Sequence, residues 1–203
     1  EKIFLENGGQ LRMSEAINRG ISRYMLYKLR DKGIIEQISR GVYRLRELPE
    51  IGNPDLVTVS LRYPNAVVCL VSALAFHGIT TQIPHSVSVA VPRGSRVPFL
   101  DYPPVSPHQF SKNAYTAGIE THQIDGVSVK IYRMEKTLAD CFKFRNKIGM
   151  DIVLESLKLY RDRKKFNLAG LIKYGEICRV EEAMKPYLEA LVWGSWGRAT
   201  ITI

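Results

Sequence analysis

The sequence predicts an α+β protein in two parts: a small N-terminal unit of short helices and a β-hairpin, then a larger mixed α/β unit that ends in a bundle of helices. Three observations predict it. Glycine-punctuated helical segments fill about the first two thirds of residues 1–49 and two short β-rich runs close that stretch. A proline- and glycine-bearing segment, Arg46–Pro54, then separates them from about 150 further residues, enough for a core of their own. In that remainder β-rich runs come early and helical periodicity takes over after Arg133. The domain boundaries expected are 1–49 and 54–203.

Element by element, Ile3-Phe4-Leu5 starts a helix that Gly8-Gly9 ends. A second short helix runs over Met13–Asn18 and stops at Gly20. Ser22 caps a third over Arg23–Lys32, with Ile21 and Leu26 at the spacing of a hydrophobic staple and Gly33 after its end. At 100° per residue, Met25, Leu26 and Leu29 form one stripe, expected to face the core, while Arg23, Tyr24, Tyr27 and Lys28 occupy the opposite arc. Gly33–Ile38 and Val42–Leu45 read as strands joined by a Ser39-Arg40-Gly41 turn. Helices followed by a hairpin make a winged helix-turn-helix, which places its second motif helix in the major groove and its wing on the backbone or minor groove.

In the larger part, Pro54–Arg62 reads as a helix, Ala66–Leu70 as a buried strand, and Ser72–Gly78 as a capped helix ended by glycine. Ser86–Val91 reads as a strand and Arg93–Pro107 as an exposed proline-rich loop. Ile119–Ile124 and Val127–Tyr132 flank Asp125-Gly126, a strong hairpin signal. Met134–Lys147, Asp151–Lys164, Leu168–Tyr174 and Glu181–Trp193 follow as helices.

Composition narrows the function. With 45% hydrophobic and 24% charged residues the chain is neither disordered nor fibrous. The longest nearly apolar run, Ala66–Phe76, is far short of the roughly 20 residues of a membrane span, and no signal peptide opens the chain. A cytoplasmic protein with no membrane partner is expected. The chain opens on Glu1 rather than Met, which predicts a trimmed N-terminus. Cys69, Cys141 and Cys178, odd in number and widely spaced, predict reduced, mostly buried thiols.

The net charge of +9 draws polyanions. Gly20–Arg46 alone carries seven Lys/Arg against two acids. Cations interleaved with tyrosines suit a phosphate-rich groove: Arg and Lys neutralise phosphates or read guanine, and Tyr bonds phosphate or packs on sugars. The DNA-binding residues expected are therefore Arg23, Tyr24, Tyr27 and Lys28 on the third helix, with Arg40 and Arg44 in the wing. A solvated face, or a winged helix that binds protein, stays open as an alternative.

No catalytic constellation emerges. The four histidines stand apart, no phosphate-loop or nucleophile-elbow motif occurs, and Ser128-Val129-Lys130 has a serine where a nuclease strand wants an acid. No enzyme activity, no metal and no cofactor is expected. A nuclease targeted by the winged helix and a ligand-responsive regulator remain alternatives. On the fourth-from-last helical segment, Lys136, Lys143, Arg145 and Lys147 make a basic region that suits either solvent or a partner.

These motifs resemble a known family. Gly8-Gly9, Gly20-Ile21-Ser22 and the Arg40-Gly41-Val42-Tyr43-Arg44 wing are similar to the N-terminal winged helix of AbiEi antitoxins. Ser72–Gly78 and Lys136-Thr137-Leu138-Ala139-Asp140 resemble segments of their C-terminal domain. The resemblance implies an antitoxin of a type IV toxin–antitoxin pair, linked to abortive infection and phage defence. Its winged helix would bind inverted repeats in its own promoter as an autoregulating transcriptional repressor. Its C-terminal domain would counter a nucleotidyltransferase-like toxin without needing a stable complex. By position, the resemblance assigns DNA reading to Arg23, Tyr24, Tyr27, Lys28, Arg40 and Arg44. The antitoxin surface expected is Lys136, Lys143, Arg145 and Lys147.

Overall fold

The computed structural model describes residues 2–48 and 52–196. Of the expected linker, Pro49–Ile51 lie outside the described residues.

The N-terminal unit contains α1 (Lys2–Leu5), β1 (Gln10–Arg12), α2 (Met13–Asn18), α3 (Arg23–Asp31), β2 (Ile35–Ser39) and β3 (Val42–Leu45). Its antiparallel sheet has the order β1-β3-β2, and the helices close over one side. Phe4, Leu11, Ala16, Leu26, Ile35, Tyr43 and Leu45 form its core. Periodicity gave no signal for β1, which is three residues long. Its register comes from β3, with Leu11 opposite Tyr43.

The larger unit is built on a five-stranded mixed sheet, order β6-β5-β4-β8-β7. Its elements are α4 (Pro54–Arg62), β4 (Val67–Val68), α5 (Leu70–Phe76), β5 (Val87–Pro92), β6 (Val105–Phe110), α6 (Lys112–Thr116), β7 (Ile119–Ile124), β8 (Val127–Tyr132) and α7 (Met134–Lys143). The helices α8 (Arg145–Ile148), α9 (Met150–Arg161), α10 (Leu168–Cys178) and α11 (Glu181–Trp196) complete it. Successive strand residues point to opposite faces. Val68, Val89, Val129 and Ile131 therefore meet Leu56, Val57 and Val59 of α4 on one face. Val67, Ala90 and Tyr132 meet the helical layer of α7, α9 and α10 on the other. The α+β class expected from the sequence is the class observed, and the Asp125-Gly126 hairpin falls where it was expected.

Several local expectations change. The strand over Ala66–Leu70 shrinks to Val67–Val68, and α5 starts at Leu70 behind Cys69. Ser72 does not cap it. Its buried hydroxyl accepts from Ser88 N (2.9 Å) and donates to Ser86 O (3.2 Å), tying α5 to β5. The end of the predicted loop Arg93–Pro107 is instead the start of β6, parallel to β5. Pro107 is tolerated there because β6 is an edge strand. The helix expected over Met134–Lys147 breaks into α7 and α8 at Phe144, whose ring packs 5.6 Å from that of Phe110.

The two units touch at the β7–β8 turn. Gln10 Nε2 donates to Asp125 O (3.3 Å), and Gly52 N donates to Asp125 Oδ2 (3.0 Å). Gly8, at φ +68°, lies so close to Gly126 that a Cβ would stand 2.6 Å from its carbonyl oxygen. Gly20, at φ +88°, has no atom within 4 Å of such a Cβ. Gly20→Ala therefore costs only left-handed strain, about 1–2 kcal/mol. Gly8→Ala adds a backbone clash to the same strain and lowers the urea midpoint further. Equal midpoints for the two variants would count against this contact.

Candidate nucleic-acid interface

Helix α3 owes its start to Ser22, whose Oγ accepts from Met25 N (3.2 Å). Ser22→Ala removes that bond and costs about 1 kcal/mol of stability, readable by thermal unfolding. Leu26 is buried and Leu29 half-buried against the N-terminal core, and these two residues anchor the helix. Met25, expected in the core stripe, is instead 45% exposed. It stands at the edge of that stripe, and a helix of nine residues packed on one small sheet covers only the middle of it.

Arg23, Tyr24, Tyr27 and Lys28 are all exposed on α3, Tyr24 at 73%. Lys28 Nζ lies 6.0 Å from the Tyr24 ring centre, and the Arg30 guanidinium 5.2 Å from that of Tyr27. Arg30 also donates twice to Asp31 Oδ1 (3.0 and 2.9 Å), which holds its pKa above the ordinary value. The β2–β3 turn carries Arg40 outward, with Gly41 at φ +73° supplying the left-handed residue of the turn.

Between α2, α3 and the hairpin runs a groove bordered by Arg12, Arg23, Arg30, Arg40 and Arg62, with Tyr27, Asn18 and Gln37. The fold thus brings Arg23, Tyr27 and Arg40 to one depression, with Tyr24 and Lys28 on the same helix. Arg30 pairs with Asp31 and Arg12 with Glu15, and Arg23, Arg40 and Arg62 give the groove a positive field that suits a phosphate backbone.

Arg44 is a correction. It was expected to reach DNA from the wing, but it is only 6% exposed and its Nη1 lies 3.3 Å from Glu36 Oε1. All four residues of β3 are buried: Tyr43 and Leu45 face the N-terminal core, and α4 packs against the same sheet at β1 and β3. Lys136 is a second correction. As a surface residue it fails: it is wholly buried in α7, and its Nζ lies 2.5 Å from Asp140 Oδ2. Lys143 and Lys147 are exposed, Lys143 Nζ donating to Cys178 O (3.1 Å). Arg145 is half-buried and donates to Phe142 O (2.8 Å). The three cysteines are free and buried, and burial pushes their thiols up, that of Cys178 to about 12.

Sequence reasoning missed Arg12 and Arg62 as parts of the groove. Arg12 sits at the end of the unforeseen strand β1. Arg62 ends α4, beyond the expected linker, and only packing of α4 against β1 and β3 carries it to the wing. Among the described residues, no three His, Cys, Asp or Glu side chains gather as a metal site requires. No helix among them is long and apolar enough to cross a membrane.

Residues 1–46 match the family model described as transcriptional regulator, AbiEi antitoxin. The fold is similar to that of the crystal structure of the RV2827C protein from Mycobacterium tuberculosis. The TM-score is 0.52 at 15% sequence identity, covering 90% of this chain and 76% of that one. No curated protein matches the chain.

Proposed function

With residues 1–46 carrying the signature of the AbiEi antitoxin family of transcriptional regulators, we propose that this protein is a DNA-binding autorepressor and the antitoxin of a type IV toxin–antitoxin pair. The observation that carries the DNA reading is the exposed face of α3, where Arg23, Tyr24, Tyr27 and Lys28 all meet solvent and Arg23 and Tyr27 share a groove with Arg40. In this reading α3 enters the major groove of inverted repeats in the protein's own promoter. Arg23 and Lys28 neutralise phosphates or read guanine, the tyrosines bond phosphate and pack on sugars, and Arg40 holds the backbone from the wing. The work is non-enzymatic binding.

The antitoxin role belongs to the larger unit, acting on a nucleotidyltransferase-like toxin without a lasting complex. Support for this part comes from the family match and the resemblance of Ser72–Gly78 and Lys136–Asp140 to the family's second domain. With Lys136 internal, the exposed pair Lys143 and Lys147, with Arg145 between them, remains the surface to test.

A gel-shift titration against the protein's own upstream DNA, with scrambled competitor at two salt concentrations, tests the first half. Specific binding that weakens steeply with salt is expected, with a log–log slope of about −0.9 for each phosphate neutralised. Equal affinity for the scrambled duplex would overturn the repressor reading. For the second half, the full-length Lys143→Ala/Lys147→Ala variant is expected to lose rescue of toxin-arrested growth while keeping its gel shift. Undiminished rescue would remove this surface.

A further inference from the structure

Arg40 borders two depressions. One is the groove beside α3. The other lies on the opposite side of the hairpin, where Arg40 faces Arg62 at the end of α4 and the β5–β6 connection with Arg96 and Phe99. Arg62 borders both. All three arginines are exposed, and among the described residues the one acid lining this second depression is Asp101. None of the three enters an ion pair among the described residues.

Phe99 is 76% exposed in this connection, yet its backbone is fastened on both sides. The Tyr63 hydroxyl donates to Phe99 O (2.7 Å) and accepts from Phe99 N (3.0 Å). The ring is thus held outward at a set position, with Val97 and Tyr102 also exposed beside it. Guanidiniums next to an outward apolar ring match the duplex backbone: cations meet phosphates, and apolar side chains lie against sugars or wedge into the minor groove. Continuity with Arg40 sets the duplex above a protein as the occupant.

We infer that the larger unit grips the same duplex as α3, on the far side of the wing, with Arg62 and Arg96 on phosphates and Phe99 against the minor groove. This rests on the DNA-binding reading above. The test is fluorescence anisotropy of the full chain with its upstream duplex across a salt series, using Arg62→Gln, Arg96→Gln, Phe99→Ser and, as reference, Lys28→Ala. Each arginine variant is expected to bind about 3- to 10-fold more weakly, with the salt slope reduced by about 0.9. Phe99→Ser weakens binding with the slope unchanged, because it removes no charge. Trimming the duplex on the wing side erases the effects of Arg96→Gln and Phe99→Ser, reduces that of Arg62→Gln, which borders both depressions, and leaves that of Lys28→Ala. Wild-type affinity in all three variants, with Lys28→Ala still impaired, overturns the inference and leaves the repressor reading intact. Normal DNA binding with lost toxin rescue also overturns it and makes the surface a protein contact. If the wild type shows no specific binding, the repressor reading itself fails. The substituted side chains are exposed, and a variant that does not fold leaves the other two to decide.

Discussion

Alanine at Arg23, Lys28 and Arg40 together lowers operator affinity by at least about a hundredfold at moderate salt. An arginine that reads a base or phosphate contributes about 1–3 kcal/mol, and a phosphate-bound lysine adds a roughly uniform increment across sequences. The salt slope falls by nearly 3 if all three meet phosphates. The three side chains are exposed, so the unfolding midpoint stays close to that of the wild type. Arg44→Ala is the contrasting case. Its side chain is buried beside Glu36, so its loss lowers thermal stability and leaves the slope of the folded protein alone. A slope that moved with Arg44 and not with Lys28 would reverse the assignment of the DNA face.

The second large effect lies in the interior. Lys136→Ala leaves Asp140 buried without its ammonium and is expected to destabilise the protein by about 3–5 kcal/mol. Both side chains are wholly buried, and Cys178 Sγ donates to Asp140 Oδ1 at 3.2 Å. Lys136 Nζ also stands 4.2 Å from the Tyr132 ring centre. Burial pushes the Asp140 carboxyl above its ordinary pKa, and the Lys136 charge opposes that push. Removing the lysine removes the opposition. Lys136→Met with Asp140→Leu takes away both charges at similar volume and recovers most of the loss, since a buried pair replaced by apolar groups is often neutral. Urea unfolding of the three proteins decides it. A Lys136→Ala midpoint equal to the wild type would contradict the burial, and with it the exclusion of Lys136 from any partner surface.

Local chemistry determined a good part of this molecule. Serine 22 caps α3 because its hydroxyl reaches a backbone N–H three residues on, and Asp125-Gly126 turns a hairpin because both residues accept positive φ. The helices over Met13–Asn18 and Pro54–Arg62 and the basic, tyrosine-bearing arc of α3 were likewise legible, because each is set by neighbours a few residues apart. What only the tertiary structure decided is which charged residues meet water. Helix α7 packs against α5, α9, α10 and α11, and every residue from Lys136 to Phe142 is buried. Periodicity assumes that a helix has a solvated side, so it placed Lys136 outside, whereas a central helix has none. Arg44 misled for a similar reason: α4, distant in the chain, packs against the sheet that carries it. The short strand β1 depends on a partner for its register, and the edge strand β6 has its pattern broken by proline. The meeting of Arg12, Arg40, Arg62 and Arg96 around the wing joins residues up to 84 positions apart in the chain, and no spacing rule spans that distance.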